Sequence, residues 1–540
     1  MEKYKIFLGR FFDALLLNPY IHPVFFASLP TLIMYQYNMN ETWIDFTFLP
    51  LALSLLFLIV SWLIFLIIFR DRKKASLVSS LWIIIFFSYG HFHSSFSRLF
   101  LEKSIYKFYP AGPHSILLAI NFLILGAFFV FIFRRKEVLT PTKLFNFIAI
   151  ILVSYNLISI IPYEVSKFIS LEKVENYVLE NEEIQIAKNN NSEVYPNIYY
   201  FIFDRYSSQQ VLSKYFNYDN SNLLKFLEQR NFYNIKDSRA NYPETYLSLS
   251  SSLNMSYLNY LEKITNNKTV PRIVLYSKLI QENSVERFLK DKGYENVFVG
   301  SSYTGTKYSA VADRNYNKFE SYNGILYFIY ENSLANVLVE KFLSKKFSSY
   351  AYFIDSKVAN LNYRIDSITE ESFSKKPIFL FAHFILPHPP NILTKDCAFV
   401  GFYTPPTTED KGYLDQLECA NKTIKTLVDK ISQNAQRPYV IIIQSDEGAA
   451  DKALKYKSNE KYQIHAPIIN FIYMSPKSSD QKIDYAKIGL NDSLTPVNTF
   501  RIIFNYYFGT DFKILEDKTY VKEEKDNLSH FKDITNIVAE

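Results

Sequence analysis

The sequence predicts a two-part protein: an α-helical membrane domain of five transmembrane helices, followed by an α/β domain with a mainly parallel, doubly wound sheet. Three observations carry this expectation. The first third of the 540 residues is dominated by Phe, Leu and Ile, in five runs long enough to cross a membrane. The loops between those runs alternate in charge. The remainder alternates strand-length apolar segments with amphipathic helical ones, the pattern of βαβ units.

A hydrocarbon core of ~30 Å takes ~20 apolar residues to cross. The runs that meet this are residues 20–37, 46–69, 75–92, 115–133 and 144–161. The first is the least apolar, since it carries His22, Pro23, Pro30 and Gln36. No small-residue cleavage site precedes it, so no cleavable signal peptide is expected. Lys3, Lys5 and Arg10 precede the first run. Arg70, Arg72, Lys73 and Lys74 separate the second and third, and Arg134, Arg135 and Lys136 the fourth and fifth. The loop after the first run holds Glu41 and Asp45 and no basic residue, whereas Arg98, Lys103 and Lys107 lie in the loop after the third. By the positive-inside rule the N-terminus is cytoplasmic, and five crossings place everything after Pro162 outside the cytoplasm. The expected organisation is a cytoplasmic N-terminus at 1–19, a membrane domain at 20–161, a juxtamembrane linker helix at 162–195 and a catalytic domain at 196–540. The expected location is the bacterial inner membrane, with the last domain periplasmic or extracellular. His91 and His93 fall at the outer end of the third run, where they could meet a lipid headgroup.

A net charge of +6 is too modest to argue for nucleic acid, and no nucleic-acid partner is expected. Cys397 and Cys419 are the only cysteines. They form no Cys-x-x-Cys, which excludes a zinc ribbon or thioredoxin-like site. They could pair as a disulfide outside the cytoplasm or stay as buried thiols.

In the second part, residues 198–203 read as a strand buried on both faces, ending in Asp204. Residues 222–230 read as a helix. Tyr242-Pro243 then stops any helix before it, and Thr245 leads into a small-residue run, 248–253, that can wind into one. A hydroxyl where a turn hands over to a helix lies near unpaired N–H groups and the positive dipole end, a good place to bind and attack an anionic group. The same pattern also suits an ordinary helix cap. Residues 285–290 read as a short helix before a strand at 296–299. Residues 378–382 form another strand, ending in His383, with His388 in a proline-rich loop. A helix over 413–431 shows Leu414, Leu417, Ile424, Leu427 and Val428 on one face, and the strand at 439–444 ends in Ser445-Asp446-Glu447-Gly448. In open α/β sheets ligands bind at the carboxyl ends of strands. Acids and imidazoles at one sheet edge, with a hydroxyl stretch nearby, describe a metal-assisted phosphoryl or sulfuryl site. A divalent cation on Asp204, Asp446 and Glu447 would activate Thr245 as nucleophile, while His383 and His388 hold substrate or protonate the leaving oxygen.

These residues in this order resemble the alkaline phosphatase superfamily, in its sulfatase-like branch, over roughly residues 196–520. The marks are Pro196 to Asp204, the Thr245 stretch, His383 to His388, and Ile443 to Gly448. Tyr413 to Leu417 and Pro496 to Arg501 also look like a bacterial sulfatase-like family found with envelope-polysaccharide genes. Five spans before such a domain is similar to lipoteichoic acid synthases and lipid A phosphoethanolamine transferases. The resemblance implies a metal bound at Asp204, Thr245, Asp446 and Glu447, with Thr245 as nucleophile. Two positions depart from the family pattern. Asp446-Glu447-Gly448 stands where Asp-His-Gly is usual, which favours Mn or Mg and leaves Zn open. Arg205 stands where Gly is common. No Cys/Ser-x-Pro-x-Arg motif for formylglycine occurs, so sulfate ester hydrolysis is not expected. The function expected is transfer of a phosphoethanolamine- or phosphoglycerol-type headgroup from a phospholipid donor to an envelope glycan or lipid acceptor. A hydrolase of the same superfamily and a non-catalytic scaffold in polysaccharide assembly are the alternatives.

Overall fold

The computed structural model describes residues 14–102, 112–181, 195–262, 272–317, 324–342, 349–399, 409–477, 482–523 and 530–539. Lys3, Lys5, Arg10, Lys103 and Lys107, used above for orientation, lie outside the described residues. The chain forms two compact units, one of residues 1–166 with 322–351 and one of residues 167–321 with 352–540.

The five apolar runs are covered by α1 (Ile21–Asn38), α2 (Phe48–Phe69), α3 (Arg72–Glu102), α4 (Gly112–Arg134) and α5 (Leu139–Asn181), all in the first unit except the part of α5 beyond residue 166. Four stretches are long and apolar enough to cross a membrane: Ile44–Phe69, Arg72–Phe96, His114–Arg134 and Leu139–Asn176. The helix over the first run is not among them. It is helical in spite of Pro30, but its polar residues dilute its apolar character. On α2 the side chains of Leu56, Ile59, Leu63 and Ile67 point outward and are exposed, as a lipid-facing surface requires. Polar groups turn inward instead. His22 Nδ1 lies 2.6 Å from Ser80 Oγ, and Asn146 accepts the His22 N–H while donating to the carbonyl of Leu16. The His93 ring stacks on His114 with centroids 3.5 Å apart, and the Tyr89 hydroxyl lies 3.2 Å from His114 Nδ1. Helix α5 contains Pro162 and runs on through it to Asn181, at the cost of one backbone hydrogen bond.

The second unit is built on a seven-stranded sheet: β1 (Asn197–Phe203), β2 (Tyr233–Asn234), β3 (Glu295–Val299), β4 (Arg314–Tyr316), β5 (Ile378–Phe384), β6 (Tyr439–Gln444) and β7 (Asn470–Met474). Their order is β2-β7-β6-β1-β5-β3-β4. The five strands β6-β1-β5-β3-β4 are parallel, and β7 runs antiparallel to both β6 and β2. Every residue of β1 and β5 is buried, which is why both read as unbroken apolar runs rather than alternating ones. The helix Glu409–Asn434 lays Leu417, Ile424, Leu427, Val428 and Ile431 against a core that includes Tyr199, Phe201 and Leu380. Each such side chain contributes about 1.5–3 kcal/mol when fully buried. Cys397 and Cys419 form a disulfide, with Cα atoms 5.0 Å apart, that ties the segment after β5 to this helix. Asn197 to Ile202 of β1 pair with β6, Ile198 to Phe203 pair with β5, and the register sets Ile202 beside both His383 and Gln444. Asp204, His383 and Asp446 therefore come off one edge of the sheet, at the point where the chain switches from one side of β1 to the other.

Between β4 and β5 the chain makes an excursion that no motif in the sequence announces. The helices Gly324–Glu331 and Leu334–Phe342 belong to the first unit. Ile325 and Ile329 pack with Tyr35 of α1 and Ile160 of α5, and Leu334 and Val337 pack with Tyr89 of α3 and Leu117 of α4. The contact closes on Gly90, whose N–H donates to the Asn332 carbonyl at 2.7 Å. A Cβ at Gly90 would come within 2.6 Å of Asn332 Cα, which is backbone and cannot swing away. Gly90→Ala should therefore push the helix pair off α3, at a cost of about 1–3 kcal/mol for overpacking. Hydrogen exchange of the full chain should then show faster exchange over residues 324–342, with the sheet unchanged.

Candidate metal and catalytic site

The site is assembled from strand ends whose polar atoms have been stripped of water. Asp204, His383 and Asp446 are all buried, and one donor atom from each lies within 4.8 Å of the others. His383 Nε2 stands 3.6 Å from Asp204 Oδ2 and 3.9 Å from Asp446 Oδ2, too far for hydrogen bonds. Asp204 Oδ1, Asp446 Oδ2 and His383 Nε2 have no hydrogen-bond partner. Two of the side chains are fixed through their other atoms. Asp446 Oδ1 accepts the N–H groups of Glu447 at 2.9 Å and Arg205 at 3.3 Å, and His383 Nδ1 lies 2.8 Å from Thr306 Oγ1. Asp446 and His383 are thus held in orientation on one side and left bare on the other. Buried polar atoms are normally paired, so three bare ones converging from two acids and an imidazole fit a divalent cation.

The electrostatics agree with the geometry. Burial, and then repulsion from Asp446, pushes the Asp204 carboxyl well above the usual carboxylate range. Burial, with Glu447 next, pushes Asp446 up to about 7. Burial drives the His383 imidazole well below its ordinary value, which leaves it neutral and able to donate a lone pair.

Helix Thr245–Leu253 starts at Thr245, and the Thr245 hydroxyl is close enough to the Asp446 carboxyl to pull its pKa down against the effect of burial. The turn is held on both sides of Thr245 by Lys522, whose Nζ lies 2.9 Å from Glu244 Oε2 and donates to the Tyr246 hydroxyl at 2.8 Å. His388 is half-buried and Gln416 donates to its carbonyl at 3.0 Å, fixing the loop that carries it. Burial, then the nearby Arg205 guanidinium, lowers its pKa.

Glu447 faces elsewhere. Its Oε1 accepts from Arg205 Nε at 2.8 Å and its Oε2 lies 3.2 Å from His465 Nε2. Burial alone would raise its carboxyl, but His465 and Arg205 outweigh that and hold it below the usual range. Arg205 also pairs with Asp451 at 2.7 Å, and it does this from a left-handed backbone at φ 63°. Gly448 is required by close approach: its N–H donates to the His465 carbonyl at 2.7 Å, and a Cβ there would lie 2.6 Å from the Ile464 carbonyl oxygen. The structure thus brings together Asp204, Asp446, His383 and Thr245, with Glu447 turned into an ion pair beside them.

Three residues of the site went unread in the sequence. His465, Lys522 and Thr306 each sit in ordinary polar segments. Only the position of His465, in His465-Ala466-Pro467 just before β7, resembles the strand-edge placement that singled out His383.

Comparison with known proteins gives a family and a set of distant folds. The model of the family described as Sulfatase matches residues 196–496. No curated protein matches. The C-terminal periplasmic domain of EcEptC from Escherichia coli, in complex with Zn, is 11% identical over 65% of this chain and 94% of that one, with a TM-score of 0.42. The integral membrane lipooligosaccharide phosphoethanolamine transferase A (EptA) from Neisseria meningitidis is 13% identical over 93% of this chain and 95% of that one, with a TM-score of 0.36. The corresponding periplasmic domain of phosphoethanolamine transferase EptC from Campylobacter jejuni is 12% identical over 60% and 92%, with a TM-score of 0.36.

The arrangement predicts different effects for the three converging side chains and for Glu447. Asp204→Asn, Asp446→Asn and His383→Ala should each weaken Mn binding at least about tenfold, whereas Glu447→Gln should change it less than about threefold. Calorimetric titration of the purified full chain with Mn checks this directly.

Proposed function

This chain belongs to the sulfatase family, and on that premise we propose that it is a membrane-bound, metal-dependent transferase of phospho-headgroups. The donor is a phospholipid carrying a phosphoethanolamine- or phosphoglycerol-type group, and the acceptor is an envelope glycan or lipid. The observation that carries this reading is the set of bare atoms on Asp204, Asp446 and His383, with the Thr245 hydroxyl near enough to Asp446 to lower its pKa.

Asp204, Asp446 and His383 hold the cation, together with Thr245 itself. When bound, the cation stabilises negative charge on the transferring group and favours the alkoxide form of a threonine. The Asp446 carboxylate lies near the Thr245 hydroxyl and is the base placed to take its proton. Thr245 Oγ then gives its proton to the Asp446 carboxylate as it attacks phosphorus, and the diacylglycerol oxygen leaves with a proton from His388 or His465. In a second displacement the acceptor hydroxyl attacks the phosphothreonine and returns a proton to that imidazole, while the Thr245 oxygen leaves and takes its own proton back from Asp446. Placing Thr245 at the first turn of a helix adds backbone N–H groups that stabilise the phosphate oxygens.

Four membrane-length helices in the same chain suit a donor that is itself in the membrane. The disulfide Cys397–Cys419 suits an oxidising compartment, so the sulfatase unit works on the outer side of the inner membrane. On this reading the helix over residues 20–37 crosses as well, for five spans. The missing Cys/Ser-x-Pro-x-Arg motif supports phosphoryl rather than sulfuryl chemistry.

Phospholipid labelled in its headgroup, incubated with full chain and envelope extract, should leave label on the glycan or lipid fraction. Label released only to water would replace the transferase by a hydrolase. Thr245→Ala should cut either activity by on the order of 10³-fold or more, as loss of a covalent nucleophile does. Mass spectrometry of the unreacted-acceptor mixture should show a phospho-adduct on Thr245.

A further inference from the structure

Alongside the carboxylate group, the second unit buries a positive charge that the chemistry above does not use. Arg364, on helix Ser349–Glu371, is 6% exposed. Its Nη2 donates to the backbone carbonyl of His383 and, at 3.4 Å, to that of Val299, and its guanidinium carbon lies 4.2 Å from the centre of the Phe384 ring. These contacts position the guanidinium without neutralising it. Its Nε has no partner. Among the described residues no carboxylate pairs with it.

One turn earlier on the same helix stands Asn360, 2% exposed, with neither Oδ1 nor Nδ2 in a hydrogen bond. Arg364, Asn360, Ser301, His388 and Phe384 line one cavity of about 70 Å³. A cavity needs roughly 10–15 Å³ to hold one water, so this one has room for a few waters or one small anion. Water would satisfy Asn360, but it would leave the guanidinium uncompensated. A buried charge without a partner is among the costliest features a fold can carry. The pocket is lined in part by His388, and Arg364 is held on the backbone carbonyl of His383, so whatever fills it lies beside His388.

We infer that Arg364 and Asn360 form a subsite for a small oxoanion group, a phosphate or a carboxylate, carried by the acceptor. Assigning it to the acceptor rests on the transferase reading: the donor brings one phosphate, and that phosphate is the group transferred. A second anion then comes from the molecule that receives it, which makes the acceptor an acidic glycan or a phosphorylated lipid. Oxoanion binding by Arg364 and Asn360 does not depend on that reading. The fork of the guanidinium suits two oxygens of one group, and Asn360 Nδ2 supplies a further donor.

The test uses full chain stripped of metal, so that the carboxylate group draws no anion, titrated calorimetrically with inorganic phosphate and separately with acetate. Wild type should bind at one site and gain thermal stability as the anion is added. Asn360→Leu replaces a buried amide by an apolar group of similar size, so it should fold at least as well without anion. It should bind phosphate at least about tenfold more weakly, and Arg364→Met should abolish binding. Equal affinity in wild type and Asn360→Leu for whichever anion binds, or binding of neither anion by wild type, would overturn the subsite. Binding that behaves as expected in a protein that transfers no headgroup would leave the subsite standing and remove only the acceptor assignment. If acetate binds and phosphate does not, the acceptor is a carboxylated glycan; the reverse makes it phosphorylated.

Discussion

Two carboxylates that face one another out of reach of water dominate the second unit. Asp204 and Asp446 each present a bare oxygen to the same small space, where the His383 imidazole also ends. At roughly 4–5 Å and an effective dielectric of about 20, two such charges repel by about 3–4 kcal/mol. The fold accepts this because the sheet leaves it no choice: β1, β5 and β6 run parallel and in register, so their carboxyl ends coincide. The repulsion is an incomplete half of an interaction, and a divalent cation is the other half. Thr306, the backbone N–H groups of Arg205 and Glu447, and the helix that begins at Thr245 all serve to hold that half-formed site in shape.

The two departures from the family pattern make sense together. A third carboxylate turned into the same space would deepen the repulsion. Instead Glu447 is drawn away by Arg205 and His465, and Arg205 reaches it from a left-handed backbone that costs a non-glycine residue about 1–2 kcal/mol. The ion pair offsets that strain, and glycine at 205 would give up the cation that turns Glu447 aside. The imidazole beside the two carboxylates comes from His383 on β5. One exchange at 447, one at 205 and one ligand drawn from another strand form a consistent set.

What the sequence disclosed follows from which features are periodic or terminal. Buried parallel strands announce themselves as unbroken apolar runs, so β1, β5 and β6 and the residues just after them were legible, and with them Asp204, His383 and Asp446. The apolar face of helix Glu409–Asn434 was legible for the same reason, as were the membrane-length helices. The roles inside the site were harder. That Glu447 pairs with Arg205 and not with its neighbours depends on side chains 242 residues apart in the chain, and no local pattern carries that. Lys522 and His465 reach the site from segments with no apolar period. The helix pair at residues 324–342 is short and apolar, like many surface helices, and its place with α1 and α3 is decided by a glycine at position 90. Arg364 looks like any charge on an amphipathic helix until its burial is seen.

Anomalous diffraction from crystals of the full chain grown with Mn tests the central claim most directly. The account predicts one strong peak bounded by Asp204, Asp446 and His383 Nε2, at coordination distances of roughly 2.0–2.3 Å, with Glu447 still on Arg205. A peak seated on Glu447 and His465 instead, or none at saturating Mn, would contradict it.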